Sequence, residues 1–161
     1  MRRALFSTCL AALLLASAAG AAEARRVALV IGNGAYQSLS TLANPTKDAV
    51  AIAGALRANG FDVSEYSDLS RADFLDALES FQQKAKGAEL ALVFYAGHGM
   101  EVAGKDILAP VDMEIACDPK EARRAVGLDR LFEAASGASN QVVLLVSCRN
   151  DPFPSCPTRS A

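Results

Sequence analysis

Two side chains in this sequence have the types and settings that nucleophilic chemistry at a carbonyl carbon needs. His98 sits in Gly97-His98-Gly99, and Cys148 sits in Ser147-Cys148-Arg149-Asn150. A thiolate can attack an acyl carbon when a base within hydrogen-bond reach takes its proton, and N–H donors can hold the developing oxyanion. Cys148 would be the nucleophile, and His98 the base that later protonates the leaving amine. The backbone amides of Gly99 and Cys148 are the candidate oxyanion donors. No third member is assignable from residue types and spacing, so the unit is a dyad.

Each residue also has a plainer reading. His98 could be a turn histidine, but it is the only histidine in the chain, and its flanking glycines leave the ring and nearby N–H groups open. Cys148 could be a buried core thiol, a common fate for free cysteines, yet it stands where an apolar run turns polar. Arg149 is either a surface charge or a group that steadies the thiolate and its loop.

The dyad needs elements that bring positions 98 and 148 together. Both residues follow short apolar runs, Leu90–Tyr95 and Gln141–Ser147. Adjacent parallel strands present their carboxyl ends on one sheet edge, where open α/β sheets bind ligands. The rest of the chain fits such a sheet. Val27–Ile31 is wholly apolar, as an interior strand covered on both faces requires. Asp48–Asn59 carries Ala49, Ile52, Ala53 and Leu56 at helical spacing, with Pro45 near its start and Gly60 at its end. Phe61–Tyr66 alternates and reads as a strand nearer an edge. Arg71–Lys86 carries the stripe Phe74, Leu75, Leu78 and Phe81 behind an approximate capping box of Ser70 and Asp73. Met100–Leu108 reads as a hairpin, Asp112–Glu121 as irregular, and Leu128–Ala135 as a short helix. Three prolines keep Asn150–Ala161 out of a sheet interior. Alternating strands and helices predict a doubly wound, mostly parallel sheet with right-handed crossovers.

Composition narrows the possibilities. With 161 residues, 52% of them hydrophobic, the chain is long enough for one domain with a sizeable core. A net charge of −2 offers nucleic acid no footprint. One histidine and no CxxC pair give poor zinc spacing, so no metal or cofactor is expected. Gly32-Asn33-Gly34 lacks the third glycine of a dinucleotide fingerprint and reads as a turn at a strand end. Arg2-Arg3, the apolar run Ala4–Ala19 and a small-residue stretch are the layout of a secretory signal peptide, cleaved between Gly20 and Arg25. The alternative, an uncleaved membrane anchor, would have a short span. The division is therefore a signal peptide at 1–24 and a domain at 25–161, periplasmic or secreted and free of the membrane after cleavage. Cys9 leaves with the signal peptide. In an oxidising compartment, with Cys148 kept as a thiol, Cys117 and Cys156 are the only candidates for a bridge.

Five segments carry a resemblance to a known family: RVALVIGNGAY at 26–36, NPTKDA at 44–49, LALVFYAGHG at 90–99, ILAPVD at 107–112 and VVLLVSCRNDPF at 142–153. In order and spacing the chain resembles the caspase-fold cysteine peptidases, particularly bacterial caspase-like and metacaspase-like proteins, in their large-subunit domain. The resemblance places His98 on the catalytic histidine, Cys148 on the nucleophile and Gly99 on the glycine whose amide helps form the oxyanion hole. It implies a cysteine-type endopeptidase acting on peptide or protein substrates. It also implies a substrate pocket involving Asp48, Ala96 and Val146. Two of these depart from the family: Ala96 stands where serine is frequent, and Val146 where an acid usually lines the pocket for a basic P1 side chain. Asp48, another acidic pocket position, is retained. The small-subunit region does not follow the cysteine, so a partner supplying those strands is one expectation. A catalytically degenerate module that binds peptides or protein partners is the alternative to an enzyme.

Overall fold

The computed structural model describes residues 24–102, 104–114 and 125–147. The expected signal peptide with Cys9, the cysteines Cys117, Cys148 and Cys156, Arg149 and the tail at 150–161 lie outside the described residues.

Strand β1 (Arg26–Gly32) is an interior strand of the sheet, and Val27–Ile31 are fully buried. Its apolar residues on alternate sides meet different layers. Val27, Leu29 and Ile31 pack with helices α2 (Arg71–Ala85) and α3 (Asp129–Ala135), while Ala28 and Val30 pack under helix α1 (Pro45–Ala58). Each such valine, leucine or isoleucine contributes about 1.5–3 kcal/mol by leaving water. That two-sided burial is why the run shows no polar alternation. Strand β2 (Asp62–Ser67) flanks β1 on one side and β3 (Leu90–Ala96) on the other, with β7 (Asn140–Val146) beyond β3. All pairings are parallel, in the order β2-β1-β3-β7. Helices lie on both faces, so the α/β, doubly wound, caspase-like architecture expected from the sequence is present. A second, antiparallel sheet joins β4 (Gly99–Val102), β5 (Lys105–Leu108) and β6 (Val126–Gly127).

Some local expectations need correction. Helix α1 begins at Pro45 rather than Asp48, because proline's fixed φ suits the first turn and its missing N–H would have had no intrahelical partner there. The Ser70 and Asp73 box is half formed. Ser70 Oγ accepts from the Asp73 N–H at 3.3 Å, but the shorter Asp73 carboxylate takes the Ser70 hydroxyl at 2.5 Å. β6 has two residues, too short for any periodicity to show. The apolar strand β7 is the outermost strand of the described sheet. Val142, Leu144, Leu145 and Val146 are 38–54% exposed.

Candidate active site

The β1 end turns through Gly32-Asn33-Gly34 into a loop that crosses the carboxyl end of the sheet. Asn33 is fully buried. Its N–H donates to the Ala96 carbonyl at 2.9 Å, its Nδ2 donates to the Ala109 carbonyl at 3.3 Å, and its Oδ1 accepts from the Leu69 N–H at 3.0 Å. Asp68, at the β2 end with φ of 54°, accepts the Gly34 and Ala35 N–H groups at 2.7 and 2.8 Å. A carboxylate accepting two backbone N–H groups makes strong, charge-assisted bonds. The stretch read as a simple turn is thus a junction binding the ends of β1, β2 and β3 to the segment after β5.

His98, two residues beyond β3, lies beneath that loop. Its half-buried ring places Nε2 2.8 Å from the Ser40 carbonyl. A carbonyl only accepts, so Nε2 carries the proton, and in the neutral ring Nδ1 holds the free lone pair. The Tyr36 ring packs against the imidazole at 4.6 Å between centroids. Tyr36 and Tyr95 are buried, and burial pushes both phenols up in pKa, Tyr95 well above its ordinary value. Both therefore stay neutral hydrogen-bonding groups near pH 7.

Gly99 opens β4. The Ala109 N–H donates to the His98 carbonyl at 3.0 Å, so Gly99 and Leu108 form a cross-strand pair that exchanges no ladder bond. By this register the Gly99 N–H is left out of the ladder. Ser147 packs directly on Gly99: a Cβ at position 99 would lie 2.9 Å from Ser147 Oγ. Gly97 N–H donates to the Val146 carbonyl at 3.2 Å, and Ala96 is paired with Val146. The carboxyl ends of β3 and β7 therefore meet at the histidine turn.

An open cavity of about 510 Å³ lies at this junction, and Asp48, Ala96, His98, Val146 and Ser147 all line it. Four of the positions singled out from the sequence, drawn from three separate segments around 48, 96–98 and 146, are thus brought to one cavity. Gly99 is adjacent through Ser147, and Cys148 is outside the described residues. Most of the remaining wall is apolar, with Leu42, Pro45 and Leu145. The Asp48 carboxylate makes no hydrogen bond or ion pair among the described residues and is half-buried. No group of three or more His, Cys, Asp or Glu able to hold a metal occurs among the described residues. Sequence reasoning missed Ser40, Tyr36, Tyr95, Asn33 and Asp68. The one available signal was the presence of two of the chain's three tyrosines beside the glycine motifs at 32–34 and 97–99.

The family model described as the caspase domain matches residues 25–159. The chain belongs to the caspase-domain family. Curated relatives agree: the mucosa-associated lymphoid tissue lymphoma translocation protein 1 of Homo sapiens and its Mus musculus homolog are each 33% identical over 87 residues. That match covers 54% of this chain but only 11% and 10% of those proteins. The chain thus spans about a tenth of the length of the curated relatives it matches. Among solved structures, protein GSU0716 from Geobacter sulfurreducens superposes with a TM-score of 0.60 at 19% identity, over 77% of this chain and 50% of that one. At that identity the likeness concerns the fold.

Proposed function

We propose that this caspase-domain chain is a cysteine-type endopeptidase with His98 and Cys148 as its dyad. The observation that carries the reading is the Nε2 to Ser40 bond, which leaves the His98 Nδ1 lone pair free as a base at the edge where β3 and β7 end. His98 and Cys148 each stand two residues beyond the paired positions Ala96 and Val146. In the reaction, Nδ1 takes the Cys148 thiol proton and the thiolate sulfur bonds to the peptide carbonyl carbon. The carbonyl electron pair moves to oxygen, which the Gly99 and Cys148 N–H groups receive. The oxyanion then re-forms the carbonyl, the C–N bond breaks, and imidazolium protonates the leaving amine. Water, deprotonated by His98, hydrolyses the thioester and restores the thiol.

The exposed apolar face of β7 supports a partner as well. Edge strands offer unpaired N–H and C=O groups, and a buried-type strand at an edge invites strand addition. A partner that supplies the strands of the family's small subunit would cover Val142 and Leu144 and wall the cavity. The same exposed strand, with Val146 in place of an acid, favours a second reading: a module that binds peptides in the groove without cleaving them.

Labelling of the purified chain with a peptidyl chloromethyl ketone, read by intact mass, separates the two. One adduct at Cys148 is expected, abolished in C148A and reduced by orders of magnitude in H98A. Equal labelling of C148A would overturn the nucleophile. Peptide binding without His98-dependent labelling would leave the binding module.

A further inference from the structure

We propose that Tyr36 and Tyr95 are positioning residues for His98, a pair of buried phenols that clamp the histidine's backbone at both ends. This rests on the reading of His98 as the base, but the clamp itself is geometric. The His98 N–H donates to the Tyr36 hydroxyl at 2.8 Å, and the Tyr95 hydroxyl donates to the His98 carbonyl at 3.0 Å. The two hydroxyl oxygens are 3.4 Å apart. One proton arrangement satisfies all of this. Tyr36 accepts from His98 N–H and gives its own proton to Tyr95, whose proton is shared between the His98 and Ala109 carbonyls, the latter at 3.2 Å. Donors and acceptors thus run in one direction from the amide of His98 round to its carbonyl.

The clamp is anchored on both sides. Tyr95 is fully buried at the end of β3 and stacks on Phe74 of α2 at 5.7 Å. Tyr36 belongs to the same loop as Ser40, so one segment holds the histidine's N–H through a phenol and its ring through a carbonyl. Gly97 completes the fit, because a Cβ there would lie 2.6 Å from each phenol oxygen. The glycine before the histidine is therefore needed to admit the two hydroxyls. The physical consequence is a ring with one orientation and one tautomer before substrate arrives. A base displaced by even an ångström loses a large part of its rate advantage.

His98 being the only histidine makes the test direct. The chain carrying a tag without histidine, grown with ¹⁵N-histidine, gives one backbone amide signal and two ring nitrogens. In the parent the His98 amide should be protected from exchange, and the ring should be held as the Nε2–H tautomer. Tyr36→Phe keeps the ring packing and removes the acceptor. It should lower amide protection about fivefold to tenfold, the effect of one lost hydrogen bond, and shift the ring nitrogens toward a mixture of tautomers. Tyr95→Phe should shift the ring nitrogens in the same direction. Chloromethyl ketone labelling should slow in parallel, with thermal unfolding reporting whether each variant is folded. Unchanged amide protection and an unchanged tautomer in folded Y36F and Y95F would overturn the clamp. If Y36F fails to fold, Y95F decides alone by the same readouts. A parent that shows the protected amide and single tautomer yet never labels would remove the peptidase reading while leaving the clamp standing.

Discussion

Replacing Gly99 with alanine should break the junction between the histidine turn and the end of β7. The added Cβ would sit 2.9 Å from Ser147 Oγ and 3.1 Å from Ser147 Cβ. Carbon contacts are comfortable at about 3.5–4.0 Å, so a gap of roughly half an ångström must open. The Oγ contact can be relieved by rotating the serine side chain. The Cβ contact cannot, because Cβ moves only with the backbone. Overpacking of this kind costs about 1–3 kcal/mol, and alanine recovers about 0.5–1 kcal/mol through the lower entropy of the unfolded chain. A net loss of about 1–2 kcal/mol is expected in urea unfolding. The displacement falls one residue before Cys148, so labelling of that thiol should drop about tenfold or more. S147A removes only Oγ and should rescue G99A little, whereas S147G removes both clashing atoms and should restore much of the stability. A double-mutant cycle of G99A with S147G should therefore show a stabilising coupling of about 1 kcal/mol. Stability and labelling of G99A equal to the parent, or no coupling with S147G, would refute this packing account.

The cavity's chemistry makes substrate preference testable: with Asp48 unaided and Val146 on the wall, cleavage after arginine or lysine should be weakly favoured or not favoured. V146D should raise kcat/KM for Arg-P1 peptides over Leu-P1 peptides, by about tenfold once the gain of a charged hydrogen bond is discounted for the exposure of this position; strong Arg-P1 cleavage unaltered by V146D would refute it. Alkaline pH should destabilise the fold, because burial raises the Tyr36 and Tyr95 pKa values while unfolded phenols ionise near pH 10. The stabilisation is complete below about pH 10 and is lost as pH rises toward the folded values, at a slope of at most about 3 kcal/mol per pH unit for the two phenols together. Urea midpoints measured from pH 9 to 11 should fall less steeply in Y36F, and equal slopes would show that Tyr36 does not carry this linkage.

Much of the scaffold is legible in the chain because the signals are local. Val27–Ile31 and Leu90–Ala96 are unbroken apolar runs because they are buried on both faces, and that burial erases polar alternation. Phe74, Leu78 and Phe81 repeat at helical spacing because one face of α2 meets the sheet. His98 was conspicuous through its type and its glycines, and Asp48, Ala96 and Val146 through a pattern shared with the caspase fold. What orients His98 left no such mark. The Ser40 acceptor is a backbone carbonyl, which any residue type would supply, and it lies 58 positions from the histidine. Tyr36 reaches His98 across 62 positions, and Asn33 reaches Ala109 across 76. Residue type and spacing carry no record of such contacts, since they exist only after parallel pairing sets β1, β3 and β7 in register. The composition of β7 shows the same division. Its valines and leucines determine that it becomes a strand, but its place outermost in the described sheet, with those side chains in solvent, was decided by the tertiary pairing order.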